Sequence, residues 1–351
     1  MRFATSDGFA SPAGSGVTWQ AMAAEWVDTV RELEELGYDG VQTVEHHFQA
    51  DGHLPSPLLV LAAAAAVTER LRLTTNILLV PLYNPVKLAE DVAVLDQLSS
   101  GRVTLGVAPG YVRDEFEGLM VPYAERFTRF EEALDIMQLA WTSDAFSHEG
   151  AHYTIPRTRL SPRPVQQDPH PPIRYGVSGP KLLRRAARRG AVLAASPRHT
   201  ERELSEQFAA YDAHCEQFGF APAERPIMRG VFIAKTREQA VEVAGPAATH
   251  LFRELYGKHS ASGERVLRND IGEEVVDDGT VDFDSFRDRY IVGTPDDAIA
   301  AIQRLRDELG MTELSCWMQL PGISNDDARA SARLFAHEVI PAFVTERAGR
   351  P

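Results

Sequence analysis

Short apolar runs alternate with segments of helical period from one end of the chain almost to the other. The runs Arg2–Ser6, Gly40–Glu45, Leu71–Val80, Val103–Val107, Ile173–Val177, Ala191–Ala195, Ile227–Ala234 and Glu313–Gln319 read as strands. Most are continuously apolar rather than strictly alternating, the pattern of parallel strands covered by helices on both faces. Helical periodicity fills the intervals, at Trp19–Leu36, Leu58–Thr68, Pro85–Leu98, Phe127–Trp141, Pro180–Arg189, Glu201–Phe218, Arg237–Leu255 and Asp326–Phe343. Gly37, Gly190, Gly219 and Gly310 stand where left-handed helix C-caps fall. Thr294-Pro295-Asp296-Asp297 reads as an N-cap, a proline at the first helical position and acids in the first turn.

Strands each followed by a helix predict an α/β fold of one (β/α)8 TIM barrel spanning residues 1–351, since a doubly wound sheet has fewer strands and a switch point. Two stretches break the repeat. Thr142–Pro172 carries Pro156, Pro162, Pro164, Pro169, Pro171 and Pro172 and reads as a long βα excursion. Ser260–Arg289 is acidic and polar and reads as a mobile lid.

In a barrel the chemistry collects at the C-terminal ends of the strands, so polar residues there are the candidates. The second strand ends in Glu45-His46-His47-Phe48. Neighbours on a strand point to opposite sides, which pairs Glu45 with His47, leaves His46 on the other face and argues against a metal held by both histidines. Position alone leaves open whether these histidines work in a site or satisfy loop carbonyls. Asn76 is a polar step inside the third, apolar strand, where it needs a bond or a ligand. Gly106 and Gly110 near the fourth strand's end permit close approach of a flat ring or a phosphate, and a simple turn needs glycines too. Ser178-Gly179-Pro180-Lys181 opens a helix and is either an ordinary Ser N-cap or an anion site. Trp317 and Gln319 reach the mouth from the last strand. There is no GxSxG elbow, and Cys316 has no evident histidine partner, so a catalytic triad is unsupported.

Charge narrows the partners. A net charge of −14 excludes the basic stripe needed for nucleic acid and the attraction to an anionic membrane surface. No apolar run approaches the ~18 residues of a membrane span, and the polar turn after Met1 is unlike a signal peptide. The two cysteines, Cys215 and Cys316, form no motif, and a reducing cytoplasm is expected.

Taken in order, Glu45-His46-His47-Phe48, Asn84-Pro85-Val86, Ala89-Glu90-Asp91, Leu95-Asp96, Ser100-Gly101-Arg102, Asp114-Glu115-Phe116, Arg126-Phe127, Glu131-Glu132 and Gly293-Thr294-Pro295 resemble the luciferase-like flavin monooxygenase family, the group that includes bacterial luciferase. The resemblance implies a barrel that takes FMN as FMNH2 from a separate NAD(P)H:flavin reductase and oxygenates a small organic substrate with O2 through a C4a-peroxyflavin. It implies His46 as the acid–base residue and Asn76 and Ile77 as a strand irregularity, often a non-proline cis peptide, under the ring. It implies further that Ala108, Gly110 and Tyr111 line the flavin and that Val177, Ser178 and Gly179 form the phosphate turn. Phe9, His47, Phe48, Trp317, Gln319 and the Thr142–Pro172 excursion are expected to shape a partly apolar substrate pocket. Ala108 and Pro109 replace the family's reactive cysteine and a phosphate-binding arginine, leaving Lys181 or Arg113 as substitutes and making light emission an unsupported inference. Related members use the deazaflavin F420, and the segment at 45–48 favours FMN. A non-catalytic flavin-binding relative with a structural His46 is the alternative of a different class. A homodimer packed through barrel helices is also implied.

Overall fold

The computed structural model describes residues 1–10, 16–222, 224–256, 258–259, 265–268, 274–277 and 282–344. The chain starts as β1 (Arg2–Asp7), α1 (Trp19–Glu35), β2 (Gly40–Thr43), α2 (Pro57–Ala65), β3 (Arg72–Leu79), α3 (Pro85–Leu98) and β4 (Val103–Ala108). After α4 (Arg113–Gly118) and α5 (Arg126–Thr142) comes an antiparallel hairpin of β5 (Phe146–Glu149) and β6 (Thr154–Thr158). The repeat resumes with β7 (Ile173–Tyr175), α6 (Pro180–Arg188), β8 (Val192–Leu193), α7 (Glu201–Phe218), β9 (Pro226–Ile233) and α8 (Arg237–Tyr256). Strands β10 (Lys258–His259), β11 (Arg265–Arg268) and β12 (Glu274–Val276) pair antiparallel, and β13 (Tyr290–Gly293), α9 (Pro295–Leu309), β14 (Glu313–Trp317) and α10 (Asn325–Leu334) follow.

The main sheet runs β13-β9-β14-β1-β2-β3-β4-β7-β8 among the described residues, with parallel pairing throughout. A bridge between Ala195, just past β8, and Ile227 of β9 closes the ring β1-β2-β3-β4-β7-β8-β9-β14 into the expected barrel. Gly230 of β9 pairs with Trp317 on one edge and Tyr290 on the other, so β13 extends the β8 edge upward. That strand was absent from the sequence reading.

The strands are apolar throughout because both faces are covered; all of β9 is buried. Leu88, Ala89 and Val92 of α3 and Phe130, Ala133, Leu134 and Met137 of α5 are wholly buried, each large side chain contributing roughly 1.5–3 kcal/mol. Caps fix where the helices start and stop. Thr200 with Glu203 and Thr294 with Asp297 form reciprocal capping boxes, and Gly219 and Gly310 end α7 and α9 in the left-handed conformation.

Two expectations change. The Thr142–Pro172 segment follows α5 and leads into β7, so it is an αβ connection at the N-terminal ends of the strands and not a βα excursion. It therefore lies away from the chemistry-bearing end of the barrel. Of the Ser260–Arg289 lid, residues 260–264, 269–273 and 278–281 lie outside the described residues. Its final part, Phe283–Arg289, is a short 3-10 helix with Phe283, Phe286 and Arg289 buried, an anchored segment rather than a free lid.

The N-terminal end of the barrel interior is charged. Arg174 of β7 donates to both oxygens of Glu313 on β14, at 2.6 and 2.8 Å, and to Glu224 at 2.8 Å. Arg2 reaches Glu224 at 2.6 Å. Among the described residues no helix is long and apolar enough to cross a membrane.

Candidate active site

At the C-terminal ends of the strands a cavity of about 310 Å³ opens. Its wall brings together His46, Asn76, Ile77, Ala108, Gly110, Tyr111, Val177, Ser178 and Trp317 from four separate strand ends and the bulge of β3. These are the sequence candidates that meet in one place.

Side-chain direction past β2 follows the alternation read from the sequence. His46 Nδ1 lies 2.9 Å from Glu115 Oε1, and the His47 ring turns to Glu45 at 2.8 Å. The two imidazoles are thus held by two carboxylates from different elements and part company. A carboxylate acceptor at Nδ1 requires a proton there, which leaves Nε2 of a neutral His46 as the ring's free acceptor. Glu115 sits on α4, is 1% exposed and also accepts the main-chain N–H of His47 at 3.0 Å. Glu45 is a hub outside the cavity's chemistry: it accepts from Leu79 N–H at 2.7 Å, Tyr83 Oη at 2.6 Å and His47. Burial opposes charge on His47, yet the bond to Glu45 and the charges of Glu45 and Glu115 hold its imidazolium above the usual histidine range. His47 therefore serves the wall and not the cavity.

The floor is main chain. The Asn76–Ile77 peptide is cis, and the β3–β4 register shifts between Thr75 and Leu78. This irregularity needs bare backbone beside it. A Cβ on Gly106 would sit 2.1 Å from Thr75 O, and one on Gly176 would sit 2.6 Å from Ile77 Cδ1. The glycine of β4 read as permitting a ring's approach thus first permits the bulge of β3.

Beneath Asn76 a polar relay descends the barrel. Asn76 Nδ2 donates to Gln42 Oε1 at 2.7 Å, and Gln42 Nε2 donates to Glu313 Oε1 at 3.1 Å. The ionised carboxylate, pinned by Arg174, accepts only, so it dictates which way both amides point. Asn76 Oδ1 is left as the acceptor on the cavity side.

The anion end resolves the alternative left open at Ser178. Helix α6 is capped by Gly179 at φ 85° with no side-chain cap bond, so Ser178 is not an N-cap and its residue lines the cavity. Pro180 opens α6 without an N–H and the N–H groups of Leu182 and Leu183 return to Gly179 O, so an anion at this end would rest on Ser178 and the remaining N–H groups of the turn. Arg126, at the start of α5, lines the same cavity, stacks 3.9 Å from the Tyr123 ring centroid and keeps a buried Nε without partner. Arg198, past β8, lines it too, with its guanidinium 5.1 Å from the Tyr111 ring. Burial pushes the Tyr111 phenol up, against the pull of Arg198.

Other candidates lie elsewhere. Lys181 and Arg113 do not line the cavity; Arg113 pairs with Glu117 at 3.7 Å, and Arg126 and Arg198 supply the cations instead. Phe9 is buried against Trp19 and Trp26 of α1, at 5.4 and 5.5 Å between ring centroids. Phe48 is 65% exposed and lies over Gly118. Gln319 is bonded to Asn325 at the start of α10, and its carbonyl accepts from Trp317 Nε1 at 3.1 Å, which turns the indole ring toward the cavity. Gly179 serves as the helix cap behind Ser178.

This donor set fits a phosphate-bearing planar cofactor. The flat floor, the uncapped helix with Ser178, and the orphaned Nε of Arg126 each have a partner in such a molecule. Residues 1–313 match the family model for luciferase-like monooxygenase. The chain is 26% identical over 344 residues, 95% of its length and 93% of the relative's, to the oxygenase component of a flavin-dependent trigonelline monooxygenase from Acinetobacter baylyi. It is 35% identical over 175 residues, 47% of its length and 51% of the relative's, to an F420-dependent glucose-6-phosphate dehydrogenase from Nocardia farcinica. The crystal structure of a monooxygenase from Streptomyces bottropensis superposes with a TM-score of 0.82 at 26% identity, covering 98% of this chain and 100% of that one. The chain belongs to the luciferase-like monooxygenase family and is a flavin-dependent oxidoreductase.

Proposed function

We propose that the protein is the oxygenase component of a two-component monooxygenase, taking FMNH2 from a separate NAD(P)H:flavin reductase and inserting oxygen from O2 into a small organic substrate. The observation that carries this reading is the single cavity joining the free edge of His46, the main-chain floor at Asn76–Ile77 and the anion end at Ser178 and Arg126. Ser178, the α6 N-terminus and Arg126 would hold the phosphate, and Ile77, Ala108, Gly110 and Val177 would flank the ring. Reduced flavin, when bound, supplies the activation of O2. His46, fixed through Nδ1 on Glu115, holds or delivers a proton at Nε2. Trp317, Met228, Val44 and Leu79 supply apolar wall that keeps bulk water out.

FMN rather than F420 is proposed from the resemblance of Glu45-His46-His47-Phe48, and relatives of both kinds match, the flavin-dependent one through 95% of the chain and the F420-dependent one through 47%. Anaerobic titration with FMNH2 and F420H2, followed by calorimetry, tests the choice. Tighter binding of F420H2 overturns it, and binding of neither removes the flavin reading. The proposal includes a homodimer in the cytoplasm. Leu59 on α2 and Val94 and Leu98 on the adjacent α3 are 74%, 43% and 60% exposed, an apolar face suited to a second copy. Light scattering that returns one chain's mass of 38.8 kDa refutes the dimer.

A further inference from the structure

Acidic residues outnumber basic ones in this chain, 50 to 36, and several inner arginines are matched by carboxylates. Arg174 pairs with Glu313, Arg189 with Glu131, Arg225 with Asp212 and Arg329 with Glu32. Neither of the two arginines that line the cavity, Arg126 and Arg198, has a carboxylate partner among the described residues. A guanidinium in a partly desolvated wall without a counter-charge is compensated when an anion arrives. The proposed cofactor phosphate would take one of the two cations, Arg126 with its orphaned Nε. Arg198 is left over.

Arg198 is built to stay where it is. Thr200, two residues on, closes the capping box of α7, and His199 is 3.0 Å from Gln207 of the same helix. The main-chain N–H of Arg198 donates to Ser196 Oγ at 3.3 Å, and its carbonyl accepts from Arg289 Nε at 2.9 Å. Only the guanidinium is uncommitted, and it lies over the Tyr111 ring. The other neighbour of that ring is His46, edge-on at 6.1 Å between centroids. Through Tyr111 the free cation lies one ring away from the proposed acid–base residue, in a cavity whose wall also carries Trp317 and Met228.

We propose that Arg198 is an anion subsite for the substrate, and that the substrate class is a small organic carboxylate with an apolar or aromatic body. This rests on the flavin reading of the same cavity. The guanidinium fork matches a planar carboxylate through two parallel N–H bonds, which a lysine cannot reproduce. The body then packs on Trp317 and Met228 with its nearest carbons facing the ring and His46.

The test uses a panel of carboxylates (benzoate, nicotinate, hexanoate) and their neutral amides, titrated calorimetrically into the flavin-free and the FMN-saturated protein. At least one carboxylate is expected to bind about tenfold or more tighter than its amide, the range of a charge-assisted bond. Arg198→Met is expected to erase that preference and leave the FMN dissociation constant within about twofold; Arg198→Lys is expected to restore part of it. Arg126→Met is expected to do the reverse, weakening FMN and sparing the carboxylate. A panel with no carboxylate preferred over its amide overturns the proposal, as does Arg198→Met weakening FMN while the preference stays. A preference lost in Arg198→Met in a protein that binds no flavin upholds the subsite and fails the cofactor reading, so the two failures are distinguishable.

Discussion

Replacing Glu313 by Gln removes one charge from the barrel interior and tests the relay and the ion pair together. Glu313 is 5% and Arg174 4% exposed at the side chain, so the charge left on Arg174 is not screened by bulk water. Glu224, 31% exposed, remains its partner and offsets part of the loss. Breaking a buried pair costs about 3–5 kcal/mol, and the surviving contact places Glu313→Gln at the lower end, about 3 kcal/mol. With an unfolding entropy of ~2.1 cal/mol/K per residue over 351 residues, that corresponds to a fall in Tm of roughly 4 °C. The second consequence is directional. A neutral amide at 313 donates as well as accepts, so Gln42 and then Asn76 are free to flip, and the acceptor on the cavity side is no longer fixed. Urea unfolding of Glu313→Gln, Arg174→Met and the double variant forms a cycle with an expected coupling of about 2 kcal/mol. Flavin affinity is expected to fall in Glu313→Gln although residue 313 lies at the opposite end of β14 from the cavity. Additive single costs refute the ion-pair reasoning, and unchanged flavin affinity refutes the relay.

Three further outcomes are expected. Burial pushes Asp7 from its ordinary 3.8 up to about 6. Between those values the folded protein holds a proton that the unfolded chain has lost, so this contribution, about 3 kcal/mol, is present below pH 3.8 and is lost as pH rises through about 6. Asp7→Asn removes it, so urea unfolding should show the variant gaining on the parent by about that amount between pH 3.5 and pH 7, and a constant difference contradicts the assignment. Gly106→Ala places a Cβ 2.1 Å from a main-chain oxygen and is expected to lower stability by about 1–3 kcal/mol and to weaken flavin binding, measured by urea melts and titration; a neutral variant means the bulge is not rigid. His46→Ala is expected to lower turnover by about 100-fold or more with flavin affinity unchanged, and full turnover would make His46 structural.

The barrel was legible because parallel strands are apolar on both faces and announce themselves as runs. Tyr290–Gly293 escaped because it is four residues long and follows an acidic stretch read as lid. The positions at strand ends, such as His46, Asn76 and Ser178, were legible because topology alone sends them to the mouth. Phe9, Phe48 and Gln319 share that topology, but their direction depends on partners in other elements: Trp26 for Phe9, Gly118 for Phe48 and Asn325 for Gln319. Arg126 appeared in the sequence only as part of a motif, and Arg198 is one of 36 basic residues with no local mark. The relay had a signal that went unused. Arg174 stands between Ile173 and Tyr175 in a buried strand, and Glu313 opens another, and a charge in such a place requires its opposite.

Loop 196–199 is held by its main chain, through the Arg198 carbonyl and the Arg289 guanidinium, and not by the side chain at 198. Scaffold and specificity are therefore uncoupled at one position. A chain that exchanged this arginine for another residue would keep its loop, its α7 cap and its barrel, and would alter only the charge presented to the molecule in the cavity. Position 198 is thus the place where a library of single substitutions should redirect the enzyme to neutral or cationic molecules at little expense in folding, whereas the same exercise at 313 or 106 would lower stability along with any change in binding.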